Sequence, residues 1–157
     1  MVIEIGQAAP DFTLFNTEKQ EIKLAEQQGQ NVLLLFFPLA FTSVCTAELC
    51  SVRDNLTDYE SLNAKPYGIS VDSSYTLQKF KEEQHLNFDL LSDFNKEVST
   101  AYGALYEQFG YGMKGVGKRA AFVIDKGGIV RYAEVLENAG LQPNFASIKE
   151  SLAALQG

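Results

Sequence analysis

Six consecutive apolar residues, Val32 to Phe37, form the strongest hydrophobic feature of the chain. The run has no polar alternation, which is expected of a strand covered on both faces, and it stops at Pro38. After a short loop, apolar residues recur at steps of three and four from Cys45 to Leu62, which predicts one helix over this stretch. The pattern therefore predicts a buried strand that leads into a helix with a cysteine in its first turn.

The rest of the chain shows strand and helix patterns in alternation. Residues 12–15 and 22–24 alternate weakly between apolar and polar, which predicts an N-terminal hairpin across a polar turn. The later predicted elements are a strand at 67–71, a helix capped by Ser73 or Ser74, a short strand at 88–91, a helix at 95–102, a strand at 120–124, an antiparallel strand at 129–136 and a helix opened by Pro143.

This order of elements predicts the fold class. Strands that alternate with helices imply right-handed crossovers and parallel strands, and the late hairpin adds antiparallel strands to the same sheet. We therefore expect an α/β, thioredoxin-like fold with an N-terminal β-hairpin extension. The chain has 157 residues and shows no repeat or linker, so a single domain over residues 1–157 is expected.

Composition and charge narrow the function. With 20 acidic against 13 basic residues the net charge is −7, which argues against nucleic-acid binding. No apolar run approaches the roughly 20 residues that cross a bilayer, and no signal segment opens the chain, so we expect a cytoplasmic protein without membrane contact. Two cysteines in that compartment are expected to be free, catalytic or redox-cycling, and with His85 they are too few for a structural zinc site.

Cys45 is the candidate nucleophile. Only the thiolate form of cysteine is a strong nucleophile, and the unpaired N–H groups at a helix start favour an anion. The apolar loop 38–41 adds no negative charge. Arg119 directly precedes the buried strand at 120–124. In a thioredoxin-like sheet that strand lies beside the strand predicted at Val32 to Phe37. We therefore expect Arg119 to approach the thiol.

The spacing Pro38-x-x-x-Thr42-x-x-Cys45, together with Arg119 before an apolar strand, resembles the active site of the peroxiredoxins, the AhpC/TSA superfamily. The segment Phe-Pro-Leu-Ala-Phe-Thr at 37–42 is most similar to the alkyl hydroperoxide reductase E subgroup. The second cysteine, Cys50, instead resembles the bacterioferritin-comigratory or peroxiredoxin Q subgroup. The resemblance implies a thiol-dependent peroxidase that reduces hydrogen peroxide or alkyl hydroperoxides.

The same resemblance implies roles for the site residues. Cys45 would attack a peroxide oxygen and become a sulfenic acid. Thr42 would bind the peroxide through its hydroxyl, and Pro38 would shield the sulfur from water. Arg119 would stabilise the thiolate and the charge that develops on the oxygens. Glu48 would orient an arginine through a bidentate pair, either Arg119 or Arg53. No metal or organic cofactor is required, because the weak O–O bond supplies the driving force.

Cys50 is expected to resolve the sulfenic acid. Five positions of helix separate two Cα atoms by roughly 8–9 Å, beyond the ~7 Å limit for a disulfide, so an intrasubunit Cys45–Cys50 bond requires the helix to unwind. A thioredoxin-like or low-molecular-weight thiol reductant would then recycle it.

Three alternatives remain. In the first, Cys50 is a spectator and an external thiol resolves the sulfenic acid. In the second, the protein is a non-enzymatic redox sensor. A disulfide oxidoreductase is disfavoured, because its C-x-x-C spacing is absent.

An isologous homodimer is the expected assembly.

Overall fold

The computed structural model describes residues 3–156, which form a seven-stranded sheet and five α-helices. The strands are β1 (Thr13–Asn16), β2 (Glu21–Lys23), β3 (Asn31–Phe36), β4 (Ala64–Ser70), β5 (Asp89–Ser92), β6 (Ala120–Ile124) and β7 (Val130–Val135). The helices are α1 (Ser43–Asp54), α2 (Leu56–Ser61), α3 (Ser74–Gln84), α4 (Glu97–Ala101) and α5 (Phe145–Ala154). Within residues 3–156, none of the helices has the length and apolar character needed to span a membrane.

The strand order across the sheet is β2-β1-β5-β4-β3-β6-β7. The three strands joined by α1–α2 and α3 (β3, β4 and β5) run parallel, as their crossovers require. Strand β6 lies antiparallel to β3 and to β7, and β1 joins the far side antiparallel to β5 and β2. The predicted thioredoxin-like α/β fold with an N-terminal hairpin is confirmed.

Strand β3 serves two cores, which explains its unbroken apolar run. Successive side chains of a strand point to opposite faces of the sheet. Leu33 and Leu35 belong to a cluster with α1, α2, α3 and α5, whereas Leu34 and Phe36 belong to a cluster on the other face with α4. All six residues of β3 are buried, and all but Asn31 at its start are apolar, as a strand covered on both faces requires.

The single helix predicted through Leu62 is wrong. Helix α1 ends at Asp54 and α2 begins at Leu56, with Asn55 between them at φ −114° and ψ 17°. The Asn55 side chain donates to the main-chain oxygen of Ser51 at 2.8 Å, and such local bonds compete with continuation of a helix. The apolar stripe continues past the break because α2 packs on the same core.

Three helix starts also test the sequence pattern. Helix α4 begins two residues later than predicted, because Lys96 lies in the left-handed region at φ 65°. Helix α5 also begins two residues later, where the Asn144 side chain accepts a hydrogen bond from the N–H of Ser147. Ser73 caps α3 as predicted by accepting from the N–H of Thr76.

Candidate active site

The loop after β3 places Cys45 as the third residue of α1. Its side chain is completely buried, and Pro38 and Ala40 in the loop before it are also buried, whereas Phe41 is exposed. The first turn of α1 carries no acidic residue, and the side chain of Thr42 at the N-cap accepts no hydrogen bond from the helix. The positive end of the helix is therefore not neutralised by its own sequence at the point where the thiol lies.

Arg119 reaches Cys45 because β6 pairs with β3. The register sets Ala120 opposite Phe36, so the residue before β6 lies beside the end of β3, where the loop to α1 begins. Arg119 is 2% exposed, and its Nη2 donates to Sγ of Cys45 at 3.1 Å. A charged donor at this distance favours the anionic form of its acceptor.

Glu48 lies about one helical turn after Cys45 and forms a buried ion pair with Arg119. The pair is not bidentate, contrary to the prediction. Only Nη1 of Arg119 donates to Glu48 Oε1, while Nη2 contacts Cys45 and Nε donates to the main-chain oxygen of Ala139 at 3.1 Å. The three guanidinium nitrogens thus have three different acceptors, and Oε2 of Glu48 has none.

The two charges respond differently to burial. Burial raises the pKa of Glu48 to about 7, although the charge and hydrogen bond of Arg119 partly lower it. Burial acts to lower the pKa of Arg119, but the charges of Glu48 and Cys45 and their hydrogen bonds more than offset it, so this pKa lies above its ordinary value. Arg119 therefore stays charged, and Glu48 changes its charge near neutral pH.

Thr42 presents its hydroxyl in a defined orientation. Its Oγ1 donates a hydrogen bond to the main-chain oxygen of Leu39 at 2.8 Å. The lone pairs of Oγ1 therefore remain available to accept a hydrogen bond from another group. The main-chain oxygen of Thr42 accepts from the N–H of Thr46 and so begins the helix. The side chain is only partly buried, which places this hydroxyl at the border between the site and solvent.

Two residues that support the loop were not predicted from the sequence. Asp72 accepts the N–H of Ala40 at 2.8 Å and the hydroxyl of Ser70 at 2.7 Å. Phe41 has φ 70°, rare for an aromatic residue, and its ring packs against Phe80. Asp72 was detectable, because it follows strand β4 at the edge where parallel strands converge. Nothing in the sequence signals the conformation of Phe41.

Cys50 and Arg53 lie outside this cluster. Both cysteines are free, and α1 is helical through both positions. The sulfur of Cys50 contacts Gln84 rather than Cys45. Arg53 pairs with Asp54 and donates to the main-chain oxygen of Gln84, so it is not the partner of Glu48. The structure thus joins Cys45, Glu48 and Arg119 directly, behind the loop of Pro38 and Thr42.

Comparison with known proteins gives consistent results. The AhpC/TSA family matches residues 5–133. An alkyl hydroperoxide reductase E of Mycobacterium tuberculosis is 40% identical over 137 residues, which are 85% of this chain and 86% of that one. The crystal structure of peroxidoxin BcpB from Mycobacterium tuberculosis superimposes with a TM-score of 0.86 at 27% identity and covers 99% of both chains. A peroxiredoxin-like protein from Aquifex aeolicus shares the fold, with a TM-score of 0.89 at 23% identity over 99% of this chain and 90% of that one.

A thioredoxin-like fold with a buried cysteine at a helix start, beside an arginine–glutamate pair, defines the class of thiol peroxidases. The match over residues 5–133 covers most of the sequence. The chain belongs to the AhpC/TSA family. The predicted enzyme class, a peroxiredoxin that acts as an oxidoreductase on peroxide, is confirmed.

Proposed function

We propose that the protein reduces hydrogen peroxide and alkyl hydroperoxides, with Cys45 as the nucleophile. The observation that carries this proposal is the 3.1 Å contact between Nη2 of Arg119 and Sγ of Cys45 in a buried site. The relative named alkyl hydroperoxide reductase E supports the choice of substrate class. No step of the proposed reaction calls for a metal or an organic cofactor.

In the first step the Cys45 thiolate attacks one oxygen of the peroxide ROOH. The S–O bond forms as the O–O bond breaks, and the leaving RO⁻ takes up, through solvent, the proton that the Cys45 thiol released on ionising, which gives ROH or, from hydrogen peroxide, water. Sulfur is oxidised to the sulfenic acid and the peroxide is reduced. Arg119 stabilises the thiolate and then the charge that develops on the oxygens.

Thr42 and Pro38 act on the substrate side of the same step. The hydroxyl of Thr42 accepts a hydrogen bond from the peroxide O–H, since its own proton is donated to Leu39. Pro38 is buried in the loop and keeps water from the sulfur. Glu48 fixes one nitrogen of Arg119, so that Nη2 stays directed at the sulfur.

Cys50 resolves the sulfenic acid as an intrasubunit disulfide. Because α1 is helical through both cysteines, its first turns must unwind before the two sulfurs can meet. A thioredoxin-like or low-molecular-weight thiol then reduces the disulfide. A cytoplasmic location belongs to the same proposal, since a reducing compartment keeps both thiols free between cycles.

The assembly that we propose is an isologous homodimer. Three aromatic side chains, Phe15, Tyr75 and Phe94, are 50%, 72% and 63% exposed and line one cavity. Exposed aromatic surface of this kind is common at protein interfaces. In an isologous dimer each copy would cover the same surface on the other.

The test is titration with hydrogen peroxide of the wild type, Cys45→Ser and Cys50→Ser, followed by intact mass. We expect Cys45→Ser to lose peroxide reduction and Cys50→Ser to accumulate the sulfenic acid. A Cys45→Ser protein that still reduces peroxide would end the proposal. Rapid turnover of Cys50→Ser with a small thiol would instead favour the one-cysteine alternative. Stoichiometric consumption of peroxide despite excess reductant would favour a sensor.

A further inference from the structure

The Cys50 thiol makes a contact that plays no part in the attack of Cys45 on the peroxide. Its Sγ donates to Oε1 of Gln84 at 3.6 Å. Gln84 is the last residue of α3, so this hydrogen bond joins the middle of α1 to the end of a neighbouring helix. Cys50 is half-buried and packs against the core cluster that includes Cys45. Its side chain is therefore positioned rather than free in solvent.

Arg53, which lies on α1 like Cys50, also binds Gln84. Its Nη1 donates to the main-chain oxygen of Gln84, and its Nε contacts Asp54 at 2.9 Å. Arg53 follows Cys50 by three positions, so the two side chains are neighbours on α1. The pKa of Arg53 is raised chiefly by its hydrogen bond to Asp54, and the charge that Cys50 can carry adds to the rise.

Asn87 adds a third link between the same two regions. Its Nδ2 donates to the main-chain oxygen of Arg53 at 3.3 Å, from the loop between α3 and β5. We call Cys50, Arg53, Gln84 and Asn87 the Cys50 latch. The latch ties the C-terminal half of α1 to the end of α3 while both cysteines are reduced.

We propose that the Cys50 latch sets the rate of disulfide formation, with Gln84 as a positioning residue that must release the Cys50 thiol first. The inference rests on the proposed function, in which Cys50 resolves the Cys45 sulfenic acid. The geometry carries it, because the Cys50 sulfur lies against Gln84 and not against Cys45. The hydrogen bond to Gln84 must therefore break, in addition to the unwinding of α1, before Cys50 can attack.

The latch would decide between two competing reactions of the same sulfenic acid. In resolution the Cys50 sulfur attacks the Cys45 sulfur, the S–S bond forms, the S–O bond breaks, and hydroxide leaves as water with the Cys50 proton. In over-oxidation a second hydrogen peroxide converts Cys45 to the sulfinic acid and is itself reduced to water. A slower release of Cys50 lengthens the life of the sulfenic acid and so favours the second reaction.

The experiment compares Gln84→Leu, Gln84→Glu and the wild type after hydrogen peroxide is added to the reduced protein. Leucine keeps most of the side-chain volume without an acceptor, whereas a carboxylate accepts more strongly than an amide. Rapid alkylation and intact mass give the rate of disulfide formation and the fraction of sulfinic acid. The matched control is Gln78→Leu, which replaces an exposed glutamine elsewhere on α3.

We expect Gln84→Leu to form the disulfide about threefold faster than the wild type, the scale of one weak hydrogen bond, and to give less sulfinic acid. Gln84→Glu should form it no faster than the wild type, and Gln78→Leu should match the wild type. Equal rates in the wild type and Gln84→Leu would overturn the latch alone. A wild type that forms no Cys45–Cys50 disulfide would overturn the resolving role of Cys50, and the latch with it.

Discussion

The two ends of helix α1 hold their cysteines in different ways. At the N-terminal end Cys45 is completely buried and accepts a hydrogen bond from a buried guanidinium. Toward the C-terminal end Cys50 is only half-buried and donates one long hydrogen bond to a neutral amide, that of Gln84. The first contact depends on charge and the second does not.

This difference explains how one helix can serve both thiols. In the proposed reaction, conversion of a Cys45 thiolate to a sulfenic acid would remove the negative charge that Arg119 binds and so weaken the contact at the N-terminal end. The contact between Cys50 and Gln84 is unaffected by that charge. In the proposed mechanism, oxidation would loosen the N-terminal end of α1 selectively, and the other end would open by breaking the bonds from Cys50 and Arg53 to Gln84.

Arg119→Met should have the largest effect, because it removes the charge from the N-terminal end of α1 and keeps an unbranched apolar stem. We expect the rate of Cys45 oxidation by hydrogen peroxide to fall by about three orders of magnitude, as for loss of a preorganised charged donor. Competition with a peroxidase of known rate measures this rate.

The matched control for Arg119→Met is Arg131→Lys. Arg131 pairs with Asp125 at 2.7 Å in a largely exposed position on β7, so its substitution should leave the oxidation rate unchanged. If Arg119→Met reacts within tenfold of the wild type, the charge at the N-terminal end does not activate the thiol.

Glu48→Gln tests the charge at the N-terminal end of α1 through its pH dependence. Burial raises the pKa of Glu48 from 4.5 to about 7. Well below pH 4.5 the carboxyl is protonated in both the folded and the unfolded chain, so it contributes nothing. Between pH 4.5 and about 7 the unfolded chain loses this proton while the folded protein keeps it, so the free energy of unfolding falls across that range and levels off above it. The glutamine variant lacks this titration.

Urea unfolding at two pH values measures the effect of Glu48. Between about pH 5 and about pH 8, the wild type should lose more of its unfolding free energy than Glu48→Gln loses, by about 2–3 kcal/mol. All other titrating groups are common to the two proteins and cancel. An equal loss in both would mean that Arg119 keeps Glu48 ionised across this range.

The site was predictable where it depends on fold topology. The unbroken apolar run of β3 and the helical period after it located Cys45 at a helix start. A thioredoxin-like sheet sets β6 beside β3, which brings Arg119 to the thiol from 74 positions further along the chain. The side chains involved project from the ends of regular elements, and such positions follow from the order of the elements alone.

Other features depend on tertiary contacts that leave no local signal. The single bond from Arg119 to Glu48 arises because Ala139 and Cys45 take the other two nitrogens. The break at Asn55 was hidden because the apolar stripe continues into α2 on the same core. Periodicity reports which face of a helix is buried, and it does not report whether the helix axis is continuous.

Asn55→Ala is the mildest test and addresses whether the two ends of α1 behave independently. The variant removes the bond from the Asn55 side chain to the main-chain oxygen of Ser51, and we expect the unfolding free energy to fall by about 1 kcal/mol. Asn95→Ala, at an exposed asparagine in a turn, is the control and should change it little. Amide exchange of the reduced protein should accelerate at residues 51–54 but not at residues 46–49. Uniform acceleration along α1 would show that the helix opens as one unit. In that case, release of one end alone does not explain how Cys50 reaches Cys45.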